Sequence, residues 1–247
     1  TELGRHAAAR LRPWLQATEQ LEQELRQESG QVMGEVRLGI IPSAAHPLTT
    51  QLFTELQAQH PAIRLNIIEA QGVELDKMLD SGTVDLAILF RLSKPKGSDE
   101  RQLGVASTYL VSAPGDALTS RPTTDFSQLE GLRLVLPRRP SHWRTALDDT
   151  ARSLGFRLSP VVEADSLIVQ TELVARTPGL YAVLGPYSIA EDLKRQRVQA
   201  SKLVRPELCR HVTLSFPKQG KLSAASRVVA QTVERLVESW GHQLTEP

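Results

Sequence analysis

Apolar positions along the chain follow two different periods. Over residues 5–29, Leu11, Trp14, Thr18, Leu21, Leu25 and Glu28, four of them apolar, fall on alternating three- and four-residue steps between Gln and Glu runs such as QATEQLEQELRQESG. That spacing predicts one long helix with a single narrow apolar stripe, stopped at Ser29-Gly30. A stripe of that kind needs a partner surface, and the wide polar faces favour a second helix from another copy over packing on its own domain. From residue 35 the period shortens. EVRLGII (35–41), IRLNIIEA (63–70) and VDLAILF (84–90) read as strands. Between them, Leu48, Leu52, Phe53 and Leu56 share one helical face, and Val73, Leu75, Met78 and Leu79 share another. Strand, helix, strand, helix, strand predicts a parallel sheet with right-handed crossovers.

Residues 91–101 are polar and read as a loop, followed by one strand over Val105 to Ser112. A second α/β series then begins. LRLVLP (132–137), SPVVEA (159–164) and LYAVLGP (180–186) alternate with helical stretches near 141–154, 166–177 and 188–196. HVTLSF (211–216) is a late strand, and the last helix turns Val228, Val229, Val233, Leu236, Val237 and Trp240 inward. The pattern gives an α/β fold in three parts: a helix over 1–30, a first lobe of 35–106 plus 217–247, and a second lobe of 107–216.

Composition narrows this picture. A chain of 247 residues with 40% hydrophobic content can bury two cores. A net charge of +1 gives the chain itself no electrostatic case for nucleic acid or an anionic membrane. A single cysteine, Cys209, cannot close an internal disulfide, which points to a reducing, cytoplasmic setting. No apolar run is long enough to span a membrane. The start, TELGRHAAARLRPW, is neither a signal peptide nor headed by Met, so the reading expects sequence upstream.

Ligands of open parallel sheets bind at the carboxyl ends of the strands. Four loops qualify. Pro42 to Pro47 contains Ser43, Ala44 and His46. The second is Gln71-Gly72-Val73. Pro137 to Arg144 contains Arg138, Arg139, Ser141 and His142. The last, Gly185 to Ser188, contains Pro186 and Tyr187. If the lobes face each other, all four line one cleft, with neutral hydroxyls and amides, helix N-termini and a basic cluster of Arg138, Arg139, His142 and Arg144. The set favours a small anion, a carboxylate above all; the competing reading makes those arginines solvated surface.

Catalysis finds no support. Ser43 and His46 lack the G-x-S-x-G elbow, GIIPSA replaces any dinucleotide fingerprint, and no Gly-Lys-Ser/Thr loop exists. The six histidines show no metal-ligand spacing, so neither cofactor nor metal is expected.

The order of features resembles the LysR-type transcriptional regulators, from just after their DNA-binding domain. TELG, the long helix, GEVRLGIIPS, ELQAQHPAIRLNIIEAQ, LDSGTVDLAILF with Leu79, Gly82, Asp85, Ala87 and Ile88, VVEADSLIVQTELVA and GLYAVLGP stand in the family's order. LVLPRRPSHWR looks closest to members resembling the nitrogen assimilation regulator. The resemblance implies two Rossmann-like lobes of the periplasmic-binding-protein type II kind, behind a linker helix that dimerises through Leu11, Trp14, Leu21 and Leu25. It implies a small-molecule effector between the lobes, homodimers or homotetramers, and promoter DNA bound through a preceding domain, with no membrane partner. It places effector contacts at Ser43, at Gln71 or Gly72, near Pro137 to Ser141, and at Pro186. Where the family has G-x-G before GLYAVLGP, this chain has Thr177-Pro178-Gly179, which implies a stiffer contact. A solute-binding protein for uptake is the alternative; the absence of a signal peptide and the N-terminal helix argue against it.

Overall fold

The computed structural model describes residues 32–218 and 221–240, with positions 1, 4, 10, 11, 14 and 18. The pairing helix expected over 5–29 therefore lies almost wholly outside the described residues, Leu21 and Leu25 included. Leu11 and Trp14 are helical and 60% and 78% exposed.

Two sheets form. The first has strand order β2-β1-β3-β11-β4, built from β1 (Gly34–Ile40), β2 (Ile63–Glu69), β3 (Leu86–Arg91), β4 (Glu100–Ala106) and β11 (Arg210–Ser215). Helices α1 (Pro42–Gln59) and α2 (Gly72–Asp80) are its crossovers, and α6 (Ala224–Trp240) packs on α1, β1 and β4. The second has order β6-β10-β5-β9-β7-β8, from β5 (Tyr109–Ser112), β6 (Thr123–Asp125), β7 (Arg133–Leu136), β8 (Pro160–Glu163), β9 (Leu180–Leu184) and β10 (Gln199–Val204). It carries α3 (His142–Ser153), α4 (Leu167–Arg176) and α5 (Pro186–Lys194).

Two-residue alternation explains the second lobe's cores. Leu110, Leu134, Leu136, Tyr181 and Val183 enter one cluster with Phe126 and Leu147. Their neighbours Tyr109, Val111, Val135, Leu180, Ala182 and Leu184 enter the other, with Val174 and Ile189. A sheet covered on both faces buries both sets. In the first lobe, Asp85 of the LDSGTVDLAILF segment is a brace. It accepts from the Arg37 backbone N–H at 2.7 Å and from that residue's Nε at 3.2 Å and Nη2 at 2.6 Å, so β1 is tied to the start of β3.

The structure corrects several sequence expectations. β1 runs parallel to β2 and β3 as expected, but β11 joins the same sheet antiparallel to both β3 and β4, so the sheet as a whole is mixed. The single strand expected over Val105 to Ser112 is two strands in two sheets, because the chain changes lobes at Ser107-Thr108. The expected loop at 91–101 already contains the start of β4 at Glu100. β11 inserts into the first sheet, so the chain returns over residues 205–209 rather than after Phe216. The stretch Pro42 to Pro47 is no turn. Helix α1 begins at Pro42, whose missing N–H and fixed φ suit the first helical position.

Candidate functional site

The two lobes are joined by two crossing segments, β4 to β5 and β10 to β11. Thr108 Oγ1 donates to the Leu208 carbonyl at 2.6 Å, and the Leu203 N–H donates to the Thr108 carbonyl at 2.8 Å. The crossings therefore act as one stitched hinge.

Helix N-termini from both lobes meet beside this hinge. Gly72, the first residue of α2, lies against His142, the first residue of α3; a Cβ on Gly72 would stand 3.7 Å from His142 Cδ2. His142 Nε2 is 3.4 Å from Asp76 Oδ2, so the same pair of helices is bridged by an ion pair whenever the imidazole is protonated. Helix α5 of the second lobe packs on α1 of the first. Its Tyr187 ring sits 5.3 Å from the Trp240 ring and joins the first lobe's core. Gly72 with His142, and α5 with α1, are thus two contacts between the lobes. Burial drives the Tyr187 hydroxyl well above its ordinary pKa, so it is a neutral donor.

Sequence reasoning missed the most unusual residue between the lobes. Arg210, the first residue of β11, is 4% exposed and reaches from the first lobe into the second. Its guanidinium carbon lies 3.9 Å from the Trp143 ring centroid on α3 and 5.4 Å from that of Phe90 on β3. Gly185, the N-cap of α5, is against it: a Cβ there would be 3.4 Å from Nη1. Nε and Nη2 are buried and have no hydrogen-bond partner among the described residues. Burial alone pushes the pKa down to about 9, which leaves the group charged at neutral pH. Trp143 Nε1, Tyr187 Oη and Ser188 Oγ are also buried without partners among the described residues.

The basic cluster read from the sequence is neutralised. Arg138 Nε donates to Asp165 at 2.7 Å and Arg139 Nη2 to Asp148 at 2.5 Å; both arginines are exposed. Arg144, 3% exposed, pairs with Asp148 at 2.9 Å and Glu163 at 2.8 Å and donates to the Pro137 carbonyl at 3.0 Å. Ser141 caps α3, its Oγ accepting from the Arg144 N–H at 3.3 Å. Ser43 stands at the second position of α1 and is not its cap, and Ala44 is buried in the first lobe's core. Gln71 is the N-cap of α2, with no side-chain cap bond. The His46 side chain lies outside the described residues. Two surface hollows of about 270 and 260 Å³ occur on the first lobe. Several of their charges are paired with each other, as in Arg101–Glu234 and Arg91–Asp76, and neither hollow reaches Arg210.

A known family model matches most of the chain. Residues 29–237 match the LysR substrate binding domain. The chain belongs to that family. Among its relatives, a probable hydrogen peroxide-inducible genes activator of Mycobacterium leprae is 24% identical over 98% of this chain and 78% of its own. The nitrogen assimilation regulatory protein nac of Klebsiella aerogenes is 25% identical over 96% of this chain and 77% of its own. The two likenesses are equal in strength, so the narrower resemblance to the nitrogen regulator is not singled out. The fold matches the regulatory domain of CcmR from Synechocystis PCC6803 in complex with 2-PG, with a TM-score of 0.73 at 14% identity over 83% of this chain and 98% of that one. It also matches the Corynebacterium glutamicum OxyR C206 mutant, with a TM-score of 0.73 at 20% identity over 99% of this chain and 77% of that one. As a LysR-family effector domain the chain is a regulatory module whose relatives are transcriptional regulators, not enzymes.

Proposed function

We propose that this LysR-family domain binds a small molecule in the seam between its lobes and converts the binding into a change of promoter DNA binding. One observation carries the reading: Arg210 of the first lobe, with two buried nitrogens that have no partner among the described residues, lies against Trp143 and Gly185 of the second. A ligand that satisfies them favours one lobe arrangement and can shift the assembly only by that difference in affinity.

Oligomers and DNA belong to the same reading. Large apolar side chains stand exposed along two edges: Phe53 and Ile67 on the first lobe, Val161, Ile168 and Val169 on the second. β2 and β8 are edge strands of their sheets, so the first-lobe edge of one copy can cover the second-lobe edge of another. The exposed Leu11 and Trp14 stripe adds a helix pairing. DNA contact falls to a domain that precedes this chain, and the location is that of a transcriptional regulator, the cytoplasm. The relatives named for peroxide and for nitrogen assimilation suggest different stimuli. A single half-buried Cys209 cannot form a disulfide within the chain, which favours a bound metabolite over thiol oxidation. Uptake is not supported by any of these features.

A thermal-shift screen of small metabolites tests the proposal, followed by a promoter reporter in cells. A ligand at 100 times its Kd adds about 2.7 kcal/mol. The reading requires that a stabilising compound also change reporter output; stabilisation with unchanged output would refute it.

A further inference from the structure

Arg144 and Arg37 show what a structural arginine looks like in this fold. Each has its donors filled by a carboxylate of the chain. In Arg37, Nε and Nη2 together hold both oxygens of Asp85. Those two nitrogens form one edge of the guanidinium, a fork that matches a carboxylate side-on. In Arg210 the same edge is buried and empty among the described residues. No acidic side chain among them pairs with it, and its guanidinium carbon lies over the Trp143 and Phe90 rings.

We propose that Arg210 receives the carboxylate of a small organic monoacid side-on, in the seam between the lobes, with the Trp143 indole against the guanidinium face. The assignment rests on the reading of that seam as the effector site.

Three further features agree. The N-cap of α5, Gly185, touches the guanidinium, so the positive end of that helix falls at the same place. Tyr187 and Ser188 lie on the first turn of α5, and their hydroxyls are buried without partners among the described residues. The charge count also selects. One guanidinium and one helix end balance a monoanion, whereas a phosphate dianion would leave negative charge uncompensated in a buried space. Arg210 sits at the crossing into β11 and touches both lobes, so filling its edge acts on the hinge itself.

The test is thermal denaturation of the intact chain at pH 7.5 with sodium acetate, sodium benzoate, benzamide and, at matched ionic strength, sodium sulfate and sodium chloride. Wild type, Arg210→Met, Arg210→Gln and the double variant Arg138→Ala/Arg139→Ala are compared. At least one monocarboxylate should raise the Tm of wild type and of the double variant saturably, on the order of 5 °C near saturation. Sulfate and benzamide should not, and both Arg210 variants should lose the shift. Removing an unpaired buried charge should leave the ligand-free Tm of Arg210→Met at or above that of wild type, which separates lost binding from lost fold. An unchanged shift in both Arg210 variants overturns the proposal, as does an equal shift with sulfate or no carboxylate shift in wild type. An equal benzamide shift in wild type and Arg210→Met would overturn the carboxylate assignment yet leave the effector reading standing. A carboxylate shift that depends on Arg210 without any effect on promoter output would do the reverse.

Discussion

Arg144 and Arg210 are buried to the same degree and end in opposite electrostatic states. Arg144 is held by two carboxylates and a carbonyl, Arg210 by aromatic faces alone. Replacing Arg144 by Met therefore leaves Asp148 without its buried partner and should cost about 3–5 kcal/mol in urea denaturation; a loss under about 1 kcal/mol would refute the pairing. Neither state was legible in the sequence. Arg138, Arg139 and Arg144 look like one positive patch because Glu163 and Asp165 arrive from later segments, while Asp148 stands four residues after Arg144 on the same helix. Arg210, between Cys209 and His211, sits in no cluster, and no local pattern signals that it will be walled in by two lobes. Cys209 gives a second residue-scale test. Burial, then the charge and hydrogen bond of Glu207, push its thiol up, so less thiolate is present at pH 7.5 than in a free cysteine. Its reaction with a disulfide reagent should be slower in the folded chain than in urea; an equal rate would contradict the burial.

At the scale of elements, periodicity carried most of the fold. The βαβαβ start, α3, α4, α5 and α6 follow directly from apolar spacing and from caps such as Ser141 and Ser166. The break between β4 and β5 did not. ERQLGVASTYLVS alternates without a Gly or Pro at the crossing, and the change of sheet is set by contacts from residues 203–208. One of those contacts predicts a pH effect. Glu207 pairs with Lys202 at 2.6 Å and accepts from Ser107 Oγ at 3.4 Å across the hinge. The Lys202 hydrogen bond and charge hold its carboxyl below the ordinary range. A lowered folded pKa stabilises the fold above the unfolded carboxylate pKa, and the gain disappears as pH falls through the lowered value. The pair is partly exposed, so its worth is at most about 1 kcal/mol. Wild type should exceed Glu207→Gln in urea midpoint at pH 7, and the gap should close as pH drops through the carboxylate range. A gap that widens in acid would contradict the assignment.

For the whole molecule, two lobes were legible from the repeated α/β series, and their stitching was not. Helix α5 belongs to the second sheet, yet plants Tyr187 in the first lobe's core beside Trp240, so the lobes share packing as well as crossings. The exposed apolar edges make a prediction at this scale. Ile168 is 75% exposed on α4. Ile168→Asp should leave the denaturation midpoint nearly unchanged while shifting sedimentation toward the smaller species; an unaltered sedimentation profile would remove that edge from the interface.

The central claim is that a ligand in the seam acts on the hinge between lobes, and amide hydrogen exchange tests it most directly. The chain is labelled with and without a compound that raises its Tm. Slowed exchange should centre on residues 105–109, 185–189 and 205–211, where the crossings, the α5 N-terminus and Arg210 meet. Protection confined to other parts of either lobe, with these three segments unchanged, would contradict the account.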